Sequence, residues 1–357
     1  MILALLAAPA LSLHLGEPGS AAQATAGPAH DTLTRLTAGG VPSGVLTPIE
    51  VLTSTGTSDP ARVAAATAQL PGVYAALAPT GPGSTIAGTA VISVLPRTES
   101  TQPAGQDTVA AVQDALAADP GVLGVGGTGA NLVDFDRAVY GQFPLMLALI
   151  TIATFILLAR AFRSILLAAK AVLFNLISLA AAYGVLTWVW QQGHGSDAVF
   201  GVPATGAITM WVPLMVFAFL FGLSMDYEVF ILARIREEYD ATGDARHAVI
   251  EGVGRTGRLV TSAAAILMLS FVSMSTGPQT DLKILATGLG AGILIDAVVI
   301  RCLMVPALVA LLGRWNWWLP AHAARLLRVH PSCLDWQPPA DTTTGTPQPA
   351  GLASGPR

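Results

Sequence analysis

Charge is what this sequence has least of. Only 11% of its 357 residues are Asp, Glu, Lys or Arg, against about 25% in soluble globular domains. That shortage excludes a soluble core of ordinary size, and the mean hydropathy of +0.61 agrees. Cysteine is nearly absent as well. The two present, Cys302 and Cys333, fall in an apolar run and in the tail, so no structural disulfide is expected. There is no CxxC or HExxH pattern, and the six histidines are scattered. No metal site and no cofactor are expected.

The few charges are unevenly placed. None lies in 143–159, 171–196, 198–225 or 259–280, and 284–313 holds only Asp296 and Arg301. A spanning helix needs about 20 mainly apolar residues. Five spans follow, near 143–160, 166–190, 208–232, 259–276 and 284–312. Residues 1–15 are also apolar. They read either as a signal-peptide core or, preferably, as a truncated further span, because the basic n-region is missing. Basic residues cluster in 160–170, in 234–258 and after 313. The positive-inside bias puts these on the cytoplasmic side and residues 16–141 outside. That outer segment carries ten acidic and four basic residues, which argues against nucleic acid and favours cationic or neutral partners.

Residues 16–141 read as an α/β unit. Val45–Ser54 alternates as a strand. Asp59-Pro60 caps a helix over 61–69. Strands follow near 73–78 and at 89–95, then a helix at 106–118 with apolar Val109, Val112 and Leu116, then a strand at 122–126. The order β-α-β-β-α-β suits a ferredoxin-like split unit. A helix over 132–140 should feed into the membrane. Residues 142–313 form the five-span domain. Within it, 234–258 breaks at Thr242-Gly243-Asp244 into two short helices, read either as an amphipathic surface segment or as a solvated connector. The tail is 314–357, disordered beyond about 336. Trp315, Trp317 and Trp318 suit an interfacial aromatic belt.

Asp226 is the residue that points to chemistry. It sits within the third span, where a carboxylate costs at least about 2.5–3.5 kcal/mol. Such acids face a bundle interior or a wet cavity and suggest an ion or proton path. The bland alternative is an Asp that anchors helices by hydrogen bonds. Tyr227 cannot easily bond its own neighbour and would reach an acid on a facing helix. Glu228 reads as interfacial and structural. Asp296 is a second intramembrane acid, open to functional and structural readings alike. Arg301 is five residues on, about 140° round an α-helix. It is therefore expected to snorkel inward rather than pair with Asp296. Gly288 and Gly292 form a GxxxG spacing that permits close helix packing.

The run FGLSMDYEVFILARIREEY at 221–239 resembles the signature of the MMPL transporters of the RND superfamily. So do, in order, VGGTGANLVDFD at 125–136, LLARAFRSILLAAKAVLFNLISLAAAYG at 157–184, GRTGRLVTSAAAILMLSF at 254–271, GLGAGILIDAVVIRCLMVPALVALLG at 288–313 and NWWLP at 316–320. The resemblance covers nearly all of residues 1–320. It implies a polytopic α-helical bundle of five full spans plus one truncated N-terminal span. It also implies one extracytoplasmic ferredoxin-like porter domain. The activity implied is proton-driven export of lipids or hydrophobic compounds across a bacterial inner membrane. Asp226 and Tyr227 match the family's second-half proton-relay pair. Ser224 and Asp296 would support it, and Gly222, Gly288 and Gly292 would serve packing. The first-half pair is absent. Function then requires self-association or a separate first-half chain, within the lipid bilayer. The alternative is an inactive fragment. An intramembrane aspartyl protease is disfavoured, because the order is Asp226-Tyr227 and Ile295 stands before Asp296 where that motif needs Gly. No enzyme is expected.

Overall fold

The computed structural model describes residues 1–81 and 84–329. Cys333 and the tail expected to be disordered lie outside the described residues. The chain opens with the short apolar helix α1 (Ile2–Ala7), then β1 (Leu15–Gly16), α2 (Ser20–Gln23) and α3 (Pro28–Ala38). The sequence reading missed α3, which a proline at its start favours.

An α/β unit follows: β2 (Ile49–Ser54), α4 (Pro60–Thr67), β3 (Val73–Leu77), β4 (Thr89–Pro96), α5 (Pro103–Leu116) and β5 (Val122–Gly126). Its sheet runs β3-β4-β2-β5, and every neighbouring pair is antiparallel. Alternation sends Ile49, Val51, Ile92 and Val94 to one face, where Val63, Val109 and Val112 cover them. The Asp59 side chain accepts from Ala61 N at 3.0 Å and caps α4. β2 starts later than expected. Ser43–Leu46 is a 3₁₀ turn, and Pro48 has no N–H for the ladder.

The apolar runs become long helices. α6 (Thr128–Phe135), a π turn and α7 (Phe143–Phe162) make the first. α8 (Ile165–Leu186) makes the second. After α9 (Ser196–Phe200) and β6 (Ile208–Thr209) come α10 (Trp211–Thr242) and α11 (Ala245–Ser275). α12 (Thr280–Leu294), a π-helical stretch Ile295–Met304 and α13 (Val305–Leu312) form the last, before α14 (Ala321–Leu327). Among the described residues, five helices are long and apolar enough to cross a membrane: Thr128–Phe162, Ile165–Gln191, Trp211–Thr242, Ala245–Ser275 and Thr280–Leu312. The chain is a multi-pass membrane protein. β1 pairs with β6 in parallel. This ties the chain after α1 to the end of the bundle from which α10 starts.

Segment 234–258 is not two short helices. The break at Gly243 is real, with φ at +70°. Asp244 caps the next helix by accepting from Arg246 N at 2.8 Å. The two pieces, however, are the ends of α10 and α11. Their apolar residues Ala248 and Val249 are buried. A Cβ on Gly252 would lie 2.7–3.0 Å from Ile235. The face therefore packs on α10 rather than on a membrane surface. The three tryptophans do not form one belt either. Trp315 and Trp318 are exposed, but Trp317 is 1% exposed. It stacks on Tyr239 at 4.3 Å, and the Arg236 guanidinium lies 5.1 Å from its ring.

Candidate functional site

The motif on α10 divides between two faces of the helix. Met215, Phe219, Gly222, Asp226 and Phe230 are exposed and follow one another at spacings of three and four. These spacings form one stripe on a helix. Asp226 therefore points away from the rest of the chain, not into its interior as its depth suggested. Gly222 shares that stripe, and a Cβ there would meet nothing within 4 Å. It packs no helix among the described residues.

The opposite face carries the buried chemistry. Arg301 Nη2 donates to Asp296 Oδ2 at 2.5 Å, to Ser224 O at 2.8 Å and to Ser224 Oγ at 3.3 Å. The Arg301 Cζ stands 5.1 Å from the centre of the Tyr227 ring. Arg301 is 5% exposed and Asp296 9%. This overturns both expectations for the pair. Arg301 does not snorkel, and it does meet Asp296. The reason is local: Ile295–Met304 is π-helical. Its i→i+5 hydrogen bonding brings residues five apart onto nearly one face, which an α-helix cannot do. Tyr227, half-buried, meets this cation rather than an acid. Ser224, Tyr227, Asp296 and Arg301 also line a cavity of about 20 Å³, room for one water.

Gly288 and Gly292 sit where α12 meets its neighbours. A Cβ at Gly288 would come within 2.8 Å of Leu186 on α8, and one at Gly292 within 2.3 Å of Leu220 on α10. The spacing thus serves two different partner helices.

A model of the MMPL family matches residues 63–341. The chain belongs to the MMPL family. Among curated MMPL relatives it is 38% identical over 242 residues to the heme uptake protein MmpL11 of Mycobacterium tuberculosis, covering 67% of this chain and 25% of that protein. It is 39% identical over 214 residues to the mycolic acid-containing lipids exporter MmpL11 of Mycolicibacterium smegmatis, covering 58% and 22%. It is 36% identical over 202 residues to the trehalose monomycolate exporter MmpL3 of Mycobacterium tuberculosis, covering 57% and 21%. The matched stretch spans about a quarter of the length of these MMPL proteins.

Glu228, expected to be interfacial and structural, is buried inside this MMPL bundle, at 6% exposed. It lines a cavity of about 10 Å³ with Lys170 and Phe174 and accepts no hydrogen bond from any described residue. Asp296, Arg301 and Lys170 all lie within its electrostatic reach. Lys170 in turn donates to Asn316 Oδ1, and Asn316 Nδ2 donates to Val309 O at 2.8 Å. The signal that could have found Glu228 was the next acid: Glu237 lies more than two turns further along α10.

Proposed function

We propose that this chain is half of a proton-motive-force-driven exporter of lipids or hydrophobic compounds. It would act with a second copy of itself or with a separate first-half chain. The observation that carries this is Asp226, a carboxylate on the outward face of a membrane-spanning helix. An exposed acid at that depth is costly against lipid tails, and a facing relay from another half would cover it. Behind it, Tyr227 packs on Arg301, which is held by Asp296 and Ser224. In this reading Asp226 takes a proton and loses its charge. The α10 face then slides against its partner, and Arg301 holds Tyr227 and α10 in register. Protons are the coupling ion in this reading, with no cofactor. Halves meeting at a site within the membrane are usual among transporters. In this reading residues 16–141 stand outside a bacterial inner membrane as a ferredoxin-like porter domain and the C-terminus is cytoplasmic, an orientation that the positive-inside bias supports. The named relatives handle lipids and heme, so the cargo class is an amphiphile with a large apolar body.

The test is reconstitution in vesicles with an imposed pH gradient and a fluorescent lipid cargo, with the chain alone and with a supplied first half. We expect gradient-dependent export that Asp226→Asn abolishes and Tyr227→Phe reduces. Full export by Asp226→Asn would sink the relay. A second reading is an inactive fragment of such a transporter, and it predicts no export under either condition.

A further inference from the structure

One sizeable cavity lies apart from Asp226. It has a volume of about 670 Å³ and is lined mainly by α11 and α12, with Met268, Phe271 and Val272 on one wall and Gly290 and Ala291 on the other. That volume is within the usual range of small-molecule sites, about 300–1,000 Å³. Lys283 is its one cationic lining residue. It stands near the start of α12, at the end of the bundle that carries the α/β unit. Gly290 and Ala291 lie seven and eight residues deeper, about 10 Å along the helix. The groove thus has an ammonium at its mouth and an apolar floor within the membrane.

The ammonium is available. Lys283 makes no ion pair and no side-chain hydrogen bond among the described residues. Asp281 does not neutralise it: residues two apart do not share a helix face. The Asp281 Oδ1 instead accepts from Thr209 Oγ1 at 2.6 Å and lines a different cavity with Glu17. Glycine at 290 opens the floor, because a Cβ there would sit 3.8 Å from Met268 and Phe271.

We propose that this groove binds one anionic phospholipid from the leaflet on the α/β-unit side, with an acyl chain against Met268, Phe271 and Gly290 and the phosphate on Lys283. The proposal does not depend on the export reading. A lysine near a membrane surface adds about 1 kcal/mol toward anionic lipid, which is about five-fold in affinity.

The experiment is native mass spectrometry of the full chain titrated with dioleoylphosphatidylglycerol or dioleoylphosphatidylcholine. We expect one phosphatidylglycerol to bind ahead of phosphatidylcholine. Lys283→Ala should weaken phosphatidylglycerol about five-fold and leave phosphatidylcholine unchanged, while Lys283→Arg restores it. Ala291→Phe, which fills the groove, should weaken both lipids. Equal retention of the two lipids by the wild type would overturn the proposal. So would unchanged phosphatidylglycerol binding in Lys283→Ala or in Ala291→Phe. Each variant is accepted only if its thermal unfolding matches the wild type. The charge-reversed Lys283→Glu provides a second test of the same contact. These readouts need no transport, so a chain that exports nothing but still holds phosphatidylglycerol leaves the inference standing.

Discussion

Arg301 places a permanent charge inside a membrane bundle, so its stability depends on what it touches. Among the described residues only Nη2 is satisfied; Nε and Nη1 are buried with no hydrogen-bond partner there. Asp296 supplies the opposite charge. Breaking a buried pair from one side leaves the other charge stranded and costs about 3–5 kcal/mol, whereas replacing both by apolar groups of similar size is often neutral. Asp296→Asn should therefore lower the thermal midpoint in detergent. Asp296→Leu combined with Arg301→Met should be more stable than either single variant. A double variant as unstable as the sum of the singles would show that the two do not act as a pair. The depth of both residues was legible in the sequence, because charge gaps bracket them. Their pairing was not. It rests on a π-helical stretch, and residue type and spacing carry no signal for one. Asp226 shows the same limit. Its position along the membrane followed from composition, but the face it occupies follows from which helices pack around α10.

Helix contacts in the bundle are set by where a Cβ is missing. At Gly184 on α8, a Cβ would lie 1.8 Å from the Leu6 carbonyl oxygen of α1. No side chain can relieve that clash, because the obstacle is backbone. Gly184→Ala should push α1 off α8 and cost about 1–3 kcal/mol. Gly290→Ala meets only ordinary contacts at 3.8 Å and should be neutral or gain up to about 1 kcal/mol of helix propensity. Thermal unfolding of the two variants side by side checks the ordering. The sequence marked Gly288 and Gly292 through their spacing. Gly184 escaped notice because its partner helix is more than 170 residues away in the chain. The α/β unit was more legible, since alternating apolar residues and Asp-Pro or Pro-Gly turns are local signals. The join between that unit and the bundle was not, and it titrates. Burial, and then Asp281 nearby, push the Glu17 carboxyl up to about 6 from 4.5. A raised acid binds more protons folded than unfolded, so its contribution is fully present below about pH 4.5 and is lost as pH rises through 6. Glu17→Gln should flatten the fall in stability across that window. An unchanged slope would place the titration elsewhere.

At the scale of the whole molecule, one side of α10 is left uncovered by the described residues. Met215, Phe219, Gly222, Asp226 and Phe230 recur at the three- and four-residue steps of a helix–helix seam. The stripe combines bulky apolar residues, one glycine and one acid. Lipid tails would suit the apolar residues alone. A second protein helix would suit all of them, because the glycine permits close approach and the acid needs a partner within the membrane. Gly222 separates folding from assembly, because no described residue lies within 4 Å of a Cβ there. Gly222→Trp should therefore keep the secondary structure and thermal midpoint of the single chain. It should also abolish association with a second copy or with a supplied first half, read as loss of the larger species in light scattering and of cross-links formed through Met215→Cys on the same stripe. Asp226→Asn should weaken association less, since it keeps the shape of the seam and removes only its charge. If Gly222→Trp assembles as tightly as the wild type, any association uses another face. Asp226 would then have to find its partner in lipid headgroups or water.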